Sequence, residues 1–385
     1  AGARHTRGQS AMTHLAEWVI RYRTSLLWGV GVLILLLVAQ LPRNQLNDEF
    51  VKYFDETVKF RMDTDFTTGH LTGIYLAEYS VPAGGEGGVS DPVYLNHLEA
   101  FANWYRQQPG VLHVSVLTDI MKRLNQNLHG DDPDWYRVPD SRELSAQYLL
   151  LYEFSLPFGL DLNNQINVGK SASKVTVTLD SISTEALLAL DRNAQAWLVD
   201  NTPDYMHVAG ASPSLMFSNI GHRNIRAMLQ GTSVALLIIS LVLVISLRSL
   251  RIGLISLIPN LMPIAMAFGL WALFVGQVGL GLSVVSGMTI GIVVDDTVHF
   301  LSKYLRARRE QGLDVQAAVR YAFATVGTAL WVTTLVLMLG FGVLALSHFE
   351  INAQMGLLTA VTIGLALIAD FFFLPPLLMK LGDKE

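Results

Sequence analysis

Charged residues leave five long gaps along the chain: Thr24 to Pro42, Ala227 to Leu247, Ile252 to Val294, Tyr321 to Phe349 and Ile351 to Ala369. A hydrocarbon core of roughly 30 Å is crossed by about 20 apolar helical residues, so four of these gaps suit one crossing each. The third is about twice as long and is broken by the glycine-rich stretch Gly276 to Gly281, which predicts two helices joined by a tight turn. Six spans follow, at 24–42, 227–247, 252–275, 282–302, 323–346 and 353–378. The first gap outruns the apolar core of a secretory signal, and no small-residue cleavage site follows it, so a retained anchor is expected.

Lys and Arg collect on the cytoplasmic side of short loops. Arg21 and Arg23 precede the first span, Arg248 and Arg251 separate the second from the third, Lys303, Arg306, Arg308, Arg309 and Arg320 separate the fourth from the fifth, and Lys380 and Lys384 follow the sixth. The opposite loops, Gly276 to Gly281 and Ser347 to Asn352, carry neither. Segment 1–23, loop 303–320 and tail 379–385 are therefore expected in the cytoplasm. The polar lead from Ala1 to Ser10 resembles neither a signal peptide nor a helix, and a start at Ala1 suggests a fragment or a processed product.

Between the first two spans lies a stretch, 43–226, of ordinary globular composition, expected outside the cell membrane. Leu71 to Val81 reads as a strand, Pro82 to Asp91 as a loop, Pro92 to Gln108 as a helix and Val111 to Leu117 as a second strand. The alternation of Lys174 to Leu179, a helix over Thr184 to Val199 capped by Ser183, and a strand at Tyr205 to Ala209 predict a second such unit after an irregular middle, Asn125 to Asp140. The fold class is thus an α-helical membrane bundle of six spans with an extracytoplasmic α+β domain built from two βαβ units.

Composition narrows the function. At 51% hydrophobic and 15% charged residues, with a mean hydropathy of +0.38, the chain is too apolar for an ordinary soluble enzyme. A net charge of -5 gives no attraction to nucleic acid. The absence of cysteine removes disulfides, thiolate metal sites and thiol catalysis. The sequence VGKSASK ends like a phosphate-binding loop but has Asn164 where the first glycine is required, and Asp131, Asp132 and Asp134 lack the glycine and terminal Glu of a calcium loop. No metal, no cofactor and no enzymatic centre are expected.

The fourth span carries the candidate chemistry. Gly287, Gly291, Asp295, His299 and Lys303 recur every four residues and share one helical face, with Asp296 about a quarter-turn away. Asp295 stands about 12 Å along the axis from Lys303, well inside the hydrocarbon. Acids at such depth cost about 2.5–3.5 kcal/mol each on insertion scales and serve ions or protons, although a polar network that only pins helices together gives the same pattern. His299, one turn from Asp295, is placed to share or relay a proton. Gly287 and Gly291 form a GxxxG pattern suited to close helix packing. Thr333 and Thr334 of the fifth span are candidate partners for the acids, though helical threonines commonly bond their own backbone. Asp370 lies about 15 Å from Lys380 and is equally deep, either joining the polar core or pairing with a helix end opened by Pro375 and Pro376. Pro259 and Pro263 are expected to bend the third span. Trp104, Tyr105, Trp135, Tyr136 and Trp197 suit core packing better than a substrate path.

The order of one span, a large domain and five spans, with GIVVDDTVHF in the fourth, LIPNLMP in the third, TTLVLMLGFGVLALS in the fifth and ADFFFLPPLL in the sixth, resembles one half of an RND-superfamily transporter. It is most similar to the MMPL-type branch, related to Patched and to sterol-sensing domains, and the likeness runs from about His14 onward. The resemblance implies that Asp295 and Asp296 match the fourth-span acids of a proton relay and His299 a position often occupied in this branch. It implies porter-like subdomains, a hydrophobic or lipid-like substrate, and a place in the bacterial inner membrane among its lipids. It also implies a second six-span half, in the same longer chain or in a partner subunit, and leaves room for periplasmic or outer-membrane components. Two other functions fit the same features: a sterol-sensing-type lipid-binding regulatory module that does not pump, and an accessory subunit of protein export.

Overall fold

A computed structural model of the chain describes residues 2–157 and 161–382, so Lys384 lies outside the described residues. It divides into two compact units, Ala1–Val58 with Arg223–Glu385, and Lys59–His222. Helix α1 (Gly2–Arg21) corrects the expectation of a non-helical lead. Its second half buries Ala16 and Val19 completely against the membrane unit, and no proline interrupts the winding back to Gly2. Helix α2 (Arg23–Val38) buries only Ile34 fully and packs Leu27, Val30, Leu37 and Val38 partly beside it, which leaves the other face of an apolar helix exposed. Strand β1 (Gln45–Leu46) follows.

The second unit begins with α3 (Lys59–His70), then β2 (Tyr75–Pro82), α4 (Pro92–Arg106), β3 (Val111–Ser115), α5 (Leu117–Leu128), α6 (Arg142–Ser155), β4 (Ala172–Leu179) and α7 (Thr184–Asn201). Asp91 and Ser183 cap α4 and α7 by accepting from the backbone N–H of Val93 (2.8 Å) and Ala186 (3.2 Å). Three strands form a sheet in the order β2-β4-β3, each outer strand antiparallel to β4. The segment β2-α4-β3 is therefore a strand-helix-strand unit whose strands are held apart by β4.

A second unit does not form. Tyr205 to Ala209 contains a 3-10 turn (Asp204–Met206) after Pro203, and the chain then meets the outer edge of β2 through scattered bonds rather than a ladder. Ala211 N–H donates to Glu78 O (2.7 Å), and Ser212 Oγ to Leu76 O (2.5 Å). A hydroxyl has taken a place that a strand would give to a backbone donor. The expected irregular middle also contains the end of α5, and α6 lies directly beyond it. Trp104 and Trp197 stack with Phe101, and Tyr105 is fully buried, so these aromatics belong to the core. Trp135 stacks on His129, and Lys122 lies over the Tyr136 ring.

The chain returns to the membrane unit in α8 (Pro213–Ser246), followed by α9 (Leu250–Phe274), β5 (Gln277–Val278), α10 (Leu280–Arg309), α11 (Val315–Ala322), α12 (Thr328–Leu344), α13 (Glu350–Ile368) and α14 (Leu374–Gly382). π-helical turns, Phe323–Gly327 and Ala369–Phe373, join α11 to α12 and α13 to α14. Among the described residues six helical segments are long and apolar enough to cross a membrane: Arg23–Arg43, Pro213–Ser246, Leu250–Phe274, Leu280–Arg309, Val315–Leu344 and Glu350–Leu381. The third, fourth and sixth are half or more buried and form the centre, while the other three face outward.

The turn between α9 and α10 is tight: β5 lies there and pairs in parallel with β1. Helix α9 runs unbroken through Pro259 and Pro263. Helices α10 and α11 extend past the apolar gap, leaving only residues 310–314 between them, because counting uncharged residues finds the lipid-facing length and not the polar turns beyond it. At this end arginines close helix C-termini. Arg309 Nη1 donates to Leu247 O (2.8 Å) and Arg251 Nη2 to Leu381 O (2.9 Å), while Arg320 pairs with Glu17 (2.6 Å).

Candidate functional site

Helix α10 divides its two acids between two faces. Thr289, Val293, Asp296, Thr297 and Phe300 are buried, whereas Gly287, Gly291, Asp295 and His299 are exposed on this chain. A one-residue step turns a helix by about 100°, which separates neighbouring carboxyls in this way.

The inward face builds a polar cluster across three helices. Asp370 is 1% exposed and accepts a hydrogen bond from Thr297 Oγ1 at 2.9 Å. Its other oxygen, Oδ2, is buried with no hydrogen-bond partner among the described residues. Asp296, 8% exposed, acts on Asp370 through its charge, and the Thr334 hydroxyl of α12 stands close enough to act on Asp296, yet makes no hydrogen bond of ordinary geometry. Thr333, one residue away, faces outward and returns its hydroxyl to Ala329 O and Leu330 O, both at 3.0 Å. Asp370 thus joins the polar core rather than a helix end.

The sixth span supplies Asp370 from its wide turn. Pro375 and Pro376 lack the N–H groups that carbonyls one turn earlier would accept from, and a π-turn just upstream accommodates the loss. The same turn brings Phe371 and Phe373 into the core beside Asp370.

The outward face carries the second pair. His299 Nε2 lies 3.4 Å from Asp295 Oδ1, and both side chains are more than half exposed. Gly287 approaches Thr232 at ordinary contact distance, and no neighbouring element comes within 4 Å of where a Gly291 Cβ would stand. Within this chain the close approaches are made elsewhere: a Cβ on Gly269 would stand 2.0 Å from Leu37 O, and one on Gly356 2.5 Å from Phe341 O.

Thr297 was absent from the candidates read in the sequence. Its signal was the spacing Thr289, Val293, Thr297, which marks the buried face of α10, combined with an acid in another span. Thr359 and Asn260 also bury polar atoms without partners among the described residues, on α13 and α9. Chemically, an enclosed carboxyl with an open oxygen beside a second carboxyl concentrates polar groups where an unpaired buried charge is unfavourable.

Residues 169–385 match the family model described as the MMPL family, which covers more than half of the chain and every residue of this cluster. The chain belongs to the MMPL family. A relative named "Putative membrane protein MJ1562", from Methanocaldococcus jannaschii, is 25% identical over 148 residues. That alignment covers 38% of this chain and 38% of the relative's length. The MMPL match contains five of the six membrane-crossing segments, from Pro213–Ser246 to Glu350–Leu381.

Proposed function

We propose that this MMPL protein is one half of an RND-like secondary transporter that moves a hydrophobic or lipid-like substrate at the expense of the proton-motive force. The observation that carries the reading is the buried pair Asp296 and Asp370 with an unpartnered carboxyl oxygen between membrane-crossing helices. Protonation of this pair exchanges an enclosed charge for a neutral group and so changes which helix arrangement is favoured. One charge moved across 100 mV supplies about 2.3 kcal/mol, enough to bias such a step. Asp295 and His299 then load the pair from the outward face, where a second six-span half packs. In this reading the protein lies in a bacterial inner membrane, with the unit Lys59–His222 in the periplasm, both termini in the cytoplasm, and outer-envelope components as further partners. Thr334 and Thr297 orient the acids, and no cofactor beyond the proton is needed.

The test is substrate export by the full-length protein across an imposed pH gradient. Asp296→Asn and Asp370→Asn should each abolish proton-dependent transport with membrane insertion unchanged. Unaltered transport by both variants would overturn the reading. A lipid-binding regulatory module is the second reading, favoured by an open apolar cavity of about 340 Å³ among Leu229, Leu261, Ile264 and Phe268. It expects the same substitutions to leave lipid binding and signalling intact.

A further inference from the structure

Asn260, in the middle of α9, is 1% exposed, and its amide oxygen Oδ1 has no hydrogen-bond partner among the described residues. A polar oxygen enclosed without a donor is costly, so it calls for a donor that another state of the protein supplies. Asn260 shares a helix face with Ile264, Ala267 and Trp271, at steps of four, seven and eleven residues. Those three pack in one cluster with Leu282, Val285 and Ile290 of α10 and Leu358 of α13. Gly269, nine residues on and so on the opposite face, meets Leu37 of α2. Asn260 therefore looks toward the two helices that bring Thr297 and Asp370 together.

Its depth matches as well. At the arginine-rich end Arg251 Nη2 donates to Leu381 O, and Asn260 and Asp370 stand about 14 and 17 Å from these two residues at 1.5 Å per residue. Measured from the turn between α9 and α10, Asn260 and Thr297 lie about 21 and 26 Å down their helices. Both rulers put Asn260 within a turn of the Asp370 carboxyl, whose Oδ2 is also without a partner among the described residues. Two acceptor oxygens bond each other only when one of them carries a hydrogen, and a protonated carboxyl supplies it.

The wide turn holding Asp370 packs against α2, α9, α10, α13 and α14. On α10, Asp296 and Tyr304 are on the buried face, Asp295, His299 and Lys303 follow the outward one, and Arg306, Arg308 and Arg309 occupy the last turn. The other four elements bring Arg23, Arg251, Glu350 and Lys380, all at helix ends. Among the described residues Asp296 is thus the titratable group at the level of Asp370, and a carboxylate there competes for the hydrogen. An amide accepts the hydrogen bond without taking the proton.

We propose that Asn260 is the acceptor for the protonated form of Asp370: the O–H on Oδ2 donates to Asn260 Oδ1 and ties the third span to the sixth. When the proton leaves, the tie is lost and Thr297 keeps its bond to Oδ1. Asn260 is a positioning residue acting through Asp370, and the proposal rests on the reading that Asp370 takes up a proton.

Infrared difference spectroscopy of the full-length protein in lipid vesicles, recorded as pH is lowered, tests it, because the C=O stretch of a protonated carboxyl falls when its O–H is hydrogen-bonded. Asp370→Asn identifies the band by deleting it. Asn260→Leu should move that band to higher wavenumber, and Asn260→Gln, which keeps an amide, should reverse part of the shift. Thr359→Val, which removes another buried hydroxyl without a partner among the described residues, eleven positions away on the same span, should leave the band in place. An unmoved band in folded Asn260→Leu overturns the proposal, as does an equal shift in Thr359→Val, which would make the effect a general loosening of the core. Absence of an Asp370 band at every pH where the protein is folded also overturns it, since the carboxyl then never carries a hydrogen. If Asn260→Leu does not fold, Asn260→Val carries the same measurement. Transport that survives Asp370→Asn would sink the pump and leave this bond intact, whereas an unmoved band with transport lost in Asp370→Asn would remove only the role of Asn260.

Discussion

Thr297 decides what Asp370 can do, since among the described residues it alone hydrogen-bonds to one carboxyl oxygen and leaves the other open. Thr297→Val should leave both oxygens without partners and lower stability by about 1–3 kcal/mol, while Thr297→Ser should keep most of it, as read by thermal unfolding in detergent. The acids themselves were legible in the sequence because charge inside a long apolar run stands out. Thr297 was not, because its value depends on a partner 73 positions away that only packing supplies. A second residue-scale test lies outside the spans. The Thr57 hydroxyl, with His348 Nδ1 donating at 2.7 Å, holds the Asp55 carboxyl down at about 2 and ties the chain leaving β1 to the turn before α13. A lowered folded value means that this tie contributes fully above the ordinary carboxyl range near 4 and is lost as pH falls through about 2. Hydrogen exchange at residues 54–58 should therefore rise only in strong acid, and His348→Asn should move that rise to higher pH.

Glycine placement separates packing that is complete within this chain from packing that is not. Gly269→Ala would force α9 away from α2, where Leu37 O occupies the space, and should destabilise by about 1–3 kcal/mol. Gly291→Ala meets nothing in this chain and should leave the melting temperature unchanged or slightly higher, since alanine is the better helix former. The six apolar helices were readable from the gaps between charges, and their ends were not, because polar turns such as Lys303 to Arg309 continue a helix without crossing lipid. The strand-helix-strand reading held for β2-α4-β3. It failed at Tyr205 to Ala209, where a 3-10 turn follows Pro203 and the Ser212 and Ser214 hydroxyls bond the edge of β2 in place of a ladder.

At the scale of the molecule, the exposed stripe of Gly291, Asp295 and His299 has the composition of an interior and the accessibility of a surface. The second six-span half proposed above would account for both by covering it. Because the chain has no cysteine, Gly291→Cys introduces a single thiol at the centre of the stripe. It should form a disulfide with a matching cysteine on the partner half in membranes under oxidant, whereas Leu339→Cys, on an exposed lipid-facing position of α12, should not. Absence of any crosslink at position 291 would place the half-to-half contact elsewhere.

The wide turn at Ala369–Phe373 contains one residue more than regular winding requires. Handing that spare residue one step along the helix re-clocks the side chains it passes by about 100° while all but a few backbone bonds persist. Asp370 sits on the portion of its span where such a click is cheapest, so its carboxyl can swing between neighbours without the helix melting.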